Sequence, residues 1–420
     1  MSKKYFYYAA LFLAYLLTYA DYNAFSGETI MNTLEKETFE KGTFGYDQQY
    51  LSQKDKNLIV LSDGNGWSRI VVSPKYQAKV FTSSADGEKG KSLGFVNYKV
   101  FESGVIDEHM NGYGGENRFW LGPEGGTFSI YFPSGVKQVY DNWRTPKPLD
   151  TESWEVVKSD RKTVSLKKEM EVANYLGQQF KLSIDRNISL MEPETVAAQL
   201  NTKIPSGVKT VAYVTENSIV NRNDFEWTTE TGTICIWMLD MFHPAPRAVT
   251  VIPFREGNEE QLGRIATSDY FGEIPSDRLK IKGNVIYLKT DGKYRSKLGL
   301  NSKRALPVAG NYDPDAECLT VITYDVKPDA VYLSQEWNPN KDPLTGDAMN
   351  AYNDGPLDDG SIMGPFLELE SVSPAAFLKP NHTLAHKHAV YHFIGSEKEL
   401  SPITETLFGV LVGEIKKAFE

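Results

Sequence analysis

The chain has almost no cysteine, few histidines and no surplus of positive charge. Cys235 and Cys318 are the only cysteines in 420 residues, which excludes a disulfide framework, a Cys-x-x-Cys redox pair and a thiolate zinc site. Both fall in apolar, strand-like runs, where a free thiol behaves as a small buried hydrophobe. Asp and Glu total 55 against 45 Lys and Arg, for a net charge of −10 and a pI near 5.3. No short stretch concentrates basic residues, so a nucleic-acid partner is excluded. A glycine-rich phosphate loop, a Gly-x-Ser-x-Gly elbow and a His-Glu-x-x-His helix are all absent. Helical periodicity is scarce as well. The clear case is C-terminal, where Leu407, Leu411 and Ile415 recur at four-residue steps within Ser401–Phe419; a shorter helix is expected near Ser26–Glu40.

What is present instead is strand. Short runs rich in Val, Ile, Tyr and Thr recur from residue 57 almost to the end, among them Asn57–Leu61, Ser68–Val72, Thr127–Phe132, Thr163–Leu166, Thr210–Thr215 and Thr233–Met241. The series continues with Val249–Pro253, Asn284–Lys289, Cys318–Tyr324, Ala330–Ser334, Pro365–Ser371 and Ala389–Ile394. Gly, Pro, Asn and Asp clusters separate them at hairpin spacing. Strand density is even, with no internal repeat and no Pro/Gly/Ser linker. One large antiparallel β-domain over residues 55–420 is therefore expected, with residues 21–54 as an N-terminal extension. At the N-terminus, Lys3 and Lys4 precede an apolar run from Tyr5 to Ala20. That run is shorter than an ordinary membrane span and fits a secretory signal cleaved after Ala20, with an N-terminal membrane anchor as the rival reading. The expected location is periplasmic or secreted, with no stable membrane partner beyond this segment.

Two distant segments concentrate chemistry. The first is Gly114-Gly115-Glu116-Asn117-Arg118-Phe119-Trp120-Leu121-Gly122-Pro123-Glu124-Gly125-Gly126, which packs a guanidinium, a carbamoyl, two carboxylates and an indole between glycine turns. The second is Gly364-Pro365-Phe366-Leu367-Glu368-Leu369-Glu370. Its period of two puts Glu368 and Glu370 on one face and the leucines on the other. Aromatic surface beside bidentate polar groups suits a mono- or oligosaccharide, whose C–H faces stack while its hydroxyls are held by Arg, Asn and carboxylates.

These segments resemble the galactose mutarotase-like superfamily, which includes the aldose 1-epimerases. The resemblance lies in the Glu368 strand followed by Pro374 and Ala376-Phe377, and in Gly114-Gly115 followed by Arg118 and Trp120. It looks most like a branch found among exported proteins of Bacteroidetes-type bacteria. The resemblance implies an all-β fold, a large antiparallel β-supersandwich with a C-terminal helix. It also implies Glu368 as general base, Glu370 as the alternative, and a sugar hydroxyl held by Arg118 with Asn117 and Trp120 lining the same site; Glu116 and Glu124 are expected to complete the cleft. The acid would be His243, which closes an apolar strand before Pro244. The Thr-Asn-His-x-Tyr-Phe-Asn segment of true aldose 1-epimerases is missing, as is the histidine usual beside the Gly-Gly pair. A glycan-binding module without turnover, or a glycoside hydrolase or lyase using the two carboxylates, are the rival readings. Epimerisation needs no cofactor.

Two further clusters gather possible metal donors. His386, His388 and His392 would share a strand face, which reads as a polar sheet surface rather than a zinc site. The loop 338–360 is rich in Asp and Asn, donors that Ca²⁺ favours. Its spacing does not match the helix–loop–helix calcium motif. It reads instead as a sugar-facing loop anchored by Trp337 and Tyr352, with Asn338 and Asp354 touching substrate.

Overall fold

The structure is a computed structural model that describes residues 38–357 and 359–420. The signal segment, most of the helix expected near Ser26–Glu40, and Asp358 lie outside the described residues. Residues Glu40–Glu420 form one compact unit. Among the described residues no helix is long and apolar enough to cross a membrane.

Eighteen strands are described, and every pairing between them is antiparallel. A small sheet holds β1 (Ile59–Ser62), β2 (Arg69–Ser73) and β3 (Lys79–Ser84) in that order. The next strands along the chain are β4 (Arg118–Gly122), β5 (Glu155–Ser159), β6 (Thr163–Ala173), β7 (Gln179–Leu190) and β8 (Lys209–Asn221). They are followed by β9 (Cys235–Phe242), β10 (Val249–Pro253), β11 (Leu279–Lys282), β12 (Val285–Lys289) and β13 (Ser296–Leu300). The last are β14 (Val308–Asp313), β15 (Cys318–Tyr324), β16 (Met349–Asn353), β17 (Leu367–Val372) and β18 (Thr383–Ile394). A ten-stranded sheet runs β11-β12-β10-β14-β15-β18-β8-β7-β6-β5, and a five-stranded sheet runs β13-β16-β17-β9-β4.

The two large sheets pack face to face, and alternation decides which side chains enter the seam. Phe119, Ile236, Met238, Leu298, Leu367 and Leu369 of the smaller sheet share a core with Leu182, Ile184, Ile188, Ile322 and Val390 of the larger. The far side of the ten-stranded sheet is covered by two C-terminal helices, Glu397–Phe408 and Val412–Lys416, through Leu400, Ile403, Phe408 and Ile415. The fold is thus the all-β supersandwich with a C-terminal helical segment.

Three local expectations are corrected. The single helix over Ser401–Phe419 is two helices, because Gly409 adopts a left-handed conformation (φ 73°) that ends the first. Thr127–Phe132 and Ala330–Ser334 form no strand. Phe128, Ile130, Tyr131 and Phe132 are buried in a run of turns beginning at Gly126 (φ 79°), so burial without a ladder satisfies the apolar pattern. A helix over Phe44–Lys54, capped by Thr43, lies in the stretch expected as an extension. Its Phe44 and Leu51 pack on Val71 and Phe81 of the small sheet. Cys235 and Cys318 are buried free thiols.

Candidate functional site

In the five-stranded sheet β9 lies between β4 and β17, which fixes what the two chemistry-bearing segments can do together. Arg118 pairs with Leu239, which pairs with Glu370; Trp120 pairs with Trp237; Met241 pairs with Glu368, which pairs with Tyr352. Directly paired residues in an antiparallel sheet point the same way. Arg118, Trp120, Trp237, Glu368, Glu370 and Tyr352 therefore share the face turned away from the inter-sheet core, and Lys297 joins them opposite Tyr352.

On that face each glutamate carboxyl is bonded to a basic side chain. Arg118 Nη2 donates to Glu368 Oε1 across 250 residues of sequence, and its guanidinium lies 5.2 Å from the Trp120 ring centroid. Glu370 Oε2 accepts from Lys297 Nζ at 3.0 Å and from the Trp237 indole at 2.8 Å. All of these side chains are buried. The two glutamates are not on a solvated surface: each is buried against a basic side chain.

The electrostatics differ between the members. Burial pushes the Glu368 carboxyl up to about 8, Arg118 pulling it down and Glu370 pushing it further up. Glu124, half-buried at the start of the turn after β4, is raised to about 7 by burial, against the pull of Lys297. Lys297 would be lowered by burial, but Glu370 and Glu124 hold it above the usual lysine value.

The glycines explain how the loop reaches this geometry. Gly115 has φ +130°, and a Cβ there would meet Arg118 Cγ at 3.1 Å and Lys79 Cδ at 3.2 Å. At Gly125 a Cβ would lie 2.3 Å from Glu336 O and 2.7 Å from Trp337 Cα, so only glycine admits the 334–338 segment against the Glu124 turn. Trp337 then stacks on Trp143 at 6.1 Å.

Other expected residues stand elsewhere. Asn117 faces the opposite side of the sheet, where its amide donates to Asp240 Oδ1 at 2.6 Å and accepts from Arg186. Glu116 is fully buried against His392 at 3.1 Å. Both belong to the seam between the sheets and not to the face of Arg118. His243 is exposed, one residue past the β9 partner of Leu367, with its ring edge-on to Phe95 at 5.5 Å. Among the described residues its side chain has no hydrogen bond to either glutamate. Phe95, which its ring meets, clusters with Met241, Tyr352 and Phe366. Asn338 is exposed, its side chain accepting from Asn340 N. Asp354 is buried, accepting from Gly364 N at 2.8 Å and Tyr352 OH at 3.1 Å, and that hydroxyl in turn accepts from Arg295 Nε at 3.2 Å. Asp354 thus reaches the site's edge through Tyr352. Asp342 and Asp359 accept from backbone amides of their own loop, and no cluster of three or more metal-ligating side chains occurs among the described residues.

His386, His388 and His392 do share a face, but it is buried and not a polar surface. His388 bridges Asp240 Oδ2 (2.6 Å) and Ser371 Oγ (2.8 Å), and His386 bonds the same hydroxyl at 2.8 Å. This Ser-His-Asp set has no solvent access, so it ties the sheets together. Two shallow depressions of about 660 and 730 Å³, one around Lys147, Glu171 and Arg222 and one around Trp67, Glu194 and Lys209, lie apart from the Arg118–Glu368 group.

Lys297, Lys79 and Trp237 were not singled out from sequence. Each sits in a strand where alternation alone marks no function, and only the partner strand reveals the pairing.

A family model described as a family of unknown function (DUF6786) matches residues 42–419. No curated protein matches the chain. Among solved structures the chain is similar to a putative aldose 1-epimerase from Escherichia coli K12, with 12% identity over 80% of this chain and 99% of that one and a TM-score of 0.47. It is similar to the Slr1438 protein from Synechocystis sp. PCC 6803, with 12% identity, 80% and 96% covered and a TM-score of 0.46. A galactose mutarotase-like protein from Lactobacillus casei ATCC 334 gives 10% identity, 80% and 100% covered and a TM-score of 0.46. Likeness this distant says nothing of chemistry, which has to be argued from the residues.

Proposed function

The chain belongs to the DUF6786 family, a family of unknown function, and we propose that it is an exported carbohydrate-binding protein whose site is the Arg118–Glu368 face of the five-stranded sheet. The observation that carries this reading is the Arg118–Glu368 pair itself, closed over 250 residues beside Trp120. A planar donor fork, a carboxyl and indole surface are the groups a sugar hydroxyl and a sugar ring require.

In the catalytic form of the proposal the reaction is anomeric epimerisation. Glu368, with its carboxyl near neutrality, takes the anomeric hydroxyl proton while an acid protonates the ring oxygen. The bond between C1 and the ring oxygen then breaks, the open-chain aldehyde rotates, and reclosure returns both protons. Glu124, raised to about 7, is better tuned for the acid role than His243, whose imidazole is lowered to about 4 by burial and then the Lys91 charge. The test is NMR exchange between anomers of a panel of pure aldoses. Wild type accelerates exchange for at least one sugar, and Glu368→Gln loses about 100-fold or more of that rate. No acceleration for any aldose removes the epimerase.

A second reading, binding without turnover, is favoured by one observation: both glutamates are already engaged by cations, and His243 is out of their hydrogen-bonding reach. Binding that survives Glu368→Gln, with no exchange catalysed by wild type, decides for it.

A further inference from the structure

We propose that the saccharide held here carries an anionic substituent, seated between the Lys79 ammonium and the Arg118 guanidinium. This rests on the saccharide reading above and names its substrate class.

Lys79 opens β3 directly after a turn in which Gln77 and Ala78, neither a glycine, both adopt left-handed conformations (φ 62° and 52°). Consecutive residues of this kind are held only where their surroundings over-determine them. Here Arg186 Nε, fully buried, donates to Ala78 O at 3.0 Å. The turn therefore delivers Lys79 to a fixed place, with its stem alongside Arg118 across Gly115. Lys79 is only 3% exposed. Among the described residues its Nζ makes no hydrogen bond and no ion pair. Its neighbours are the rings of Tyr113 and Phe81, at 5.8 and 6.0 Å. The Asp150 charge favours the Lys79 ammonium, but its carboxyl hydrogen-bonds Asn111 instead, accepting from the backbone at 3.1 Å and the side chain at 2.8 Å. Arg118 spends Nη2 on Glu368 and leaves Nε buried without a partner.

Two buried cations thus converge with only Arg118 bonded to a carboxyl, that of Glu368, and the Lys79 ammonium is left without a hydrogen-bonded counter-ion, which is costly until one arrives. Burial, and then the Arg118 charge, already draw the Lys79 ammonium down to about 7. A carboxylate, sulfate ester or phosphate ester on the sugar would accept charge-assisted hydrogen bonds from both groups. A neutral sugar would leave the Lys79 ammonium without a counter-ion.

The experiment is calorimetric titration of the full chain at pH 6.5 with glucose and galactose, their uronates, their 6-sulfates and their 6-phosphates. At least one anionic sugar is expected to bind about 10- to 100-fold tighter than its neutral parent, and which of the three anions does so identifies the source. Lys79→Met is expected to erase that preference without weakening the neutral sugar, and Lys79→Arg to restore part of it. Equal affinities for charged and neutral sugars in wild type overturn the inference and leave the saccharide site standing. So does a preference that survives Lys79→Met. Absence of binding by every sugar removes both.

Discussion

Replacing Glu368 by Gln should make the protein more stable, and increasingly so as pH rises. The folded state holds this carboxyl at about 8 against an ordinary value of 4.5. Burial thus disfavours the anion more than the Arg118 partner favours it. For a group raised in this way the folded protein keeps a proton that the unfolded chain has already released. Its contribution is fully favourable below about pH 4.5 and is lost as pH rises through 8. The loss runs at about 1.4 kcal/mol for each pH unit between those values, so wild type forfeits about 3 kcal/mol at pH 7. Glutamine keeps the oxygen that accepts from Arg118 and has no proton to lose. Urea unfolding of wild type and Glu368→Gln at pH 4.5, 7 and 8.5 measures the difference. The account expects the two to be close at the lowest pH and the variant to lead by about 3 kcal/mol at pH 7. A difference that is flat in pH, or one that turns against the variant as pH rises, refutes the reasoning. Either result would mean that Arg118 stabilises a resident carboxylate anion in the ordinary way. A stabilising substitution at a site expected to bind or react is the usual cost of function written as a stability difference.

Three other outcomes follow from the same geometry. Lys297→Met strands the buried Glu370 with only the Trp237 indole and should cost about 3–5 kcal/mol in guanidinium unfolding, most of it recovered when Glu370→Gln is added. Gly115→Ala forces a Cβ against Arg118 and Lys79 at φ +130°; it should cost about 1–3 kcal/mol in stability and weaken saccharide binding, whereas Gly104→Ala, with nothing within 4 Å of its Cβ, should leave binding intact. His392, which burial alone would lower, is held up to about 9 by Glu116; that stability is fully present below about pH 6.5 and lost as pH rises through 9, a loss that Glu116→Gln should abolish in thermal melts across that range.

The part of the site that was legible in the sequence is the part set by local geometry. Alternation in Phe366-Leu367-Glu368-Leu369-Glu370 put both carboxylates on one face, and the structure keeps them there. The glycine pairs flanking Arg118 read as turns; that Gly114 and Gly125 are also close approaches to other backbone shows only in the structure. That Arg118 meets Glu368 followed from a resemblance, since nothing in the spacing of residues 250 apart dictates it. Charge matching was hidden for the same reason. Lys297 sits in Ser-Lys-Leu-Gly-Leu, which reads as an ordinary strand with one solvated lysine until β16 and β17 place Glu370 beside it. The seam between the sheets was misread because buried polar residues look like surface ones in a sequence. His386, His388 and His392 alternate as an exposed face would, yet Ser371, Asp240 and Glu116 are waiting for them. Asn117 and Glu116 were drawn into the pocket by adjacency to Arg118, although Asn117, next to Arg118 in the chain, turns to the other side of the sheet.

The most direct measurement is saturation-transfer NMR of a saccharide panel, neutral and anionic, against wild type and Arg118→Met. The account predicts that at least one sugar receives saturation from wild type, and that this is lost in the variant while cooperative unfolding persists. A panel in which no sugar binds, or one whose binding is indifferent to the loss of Arg118, contradicts it.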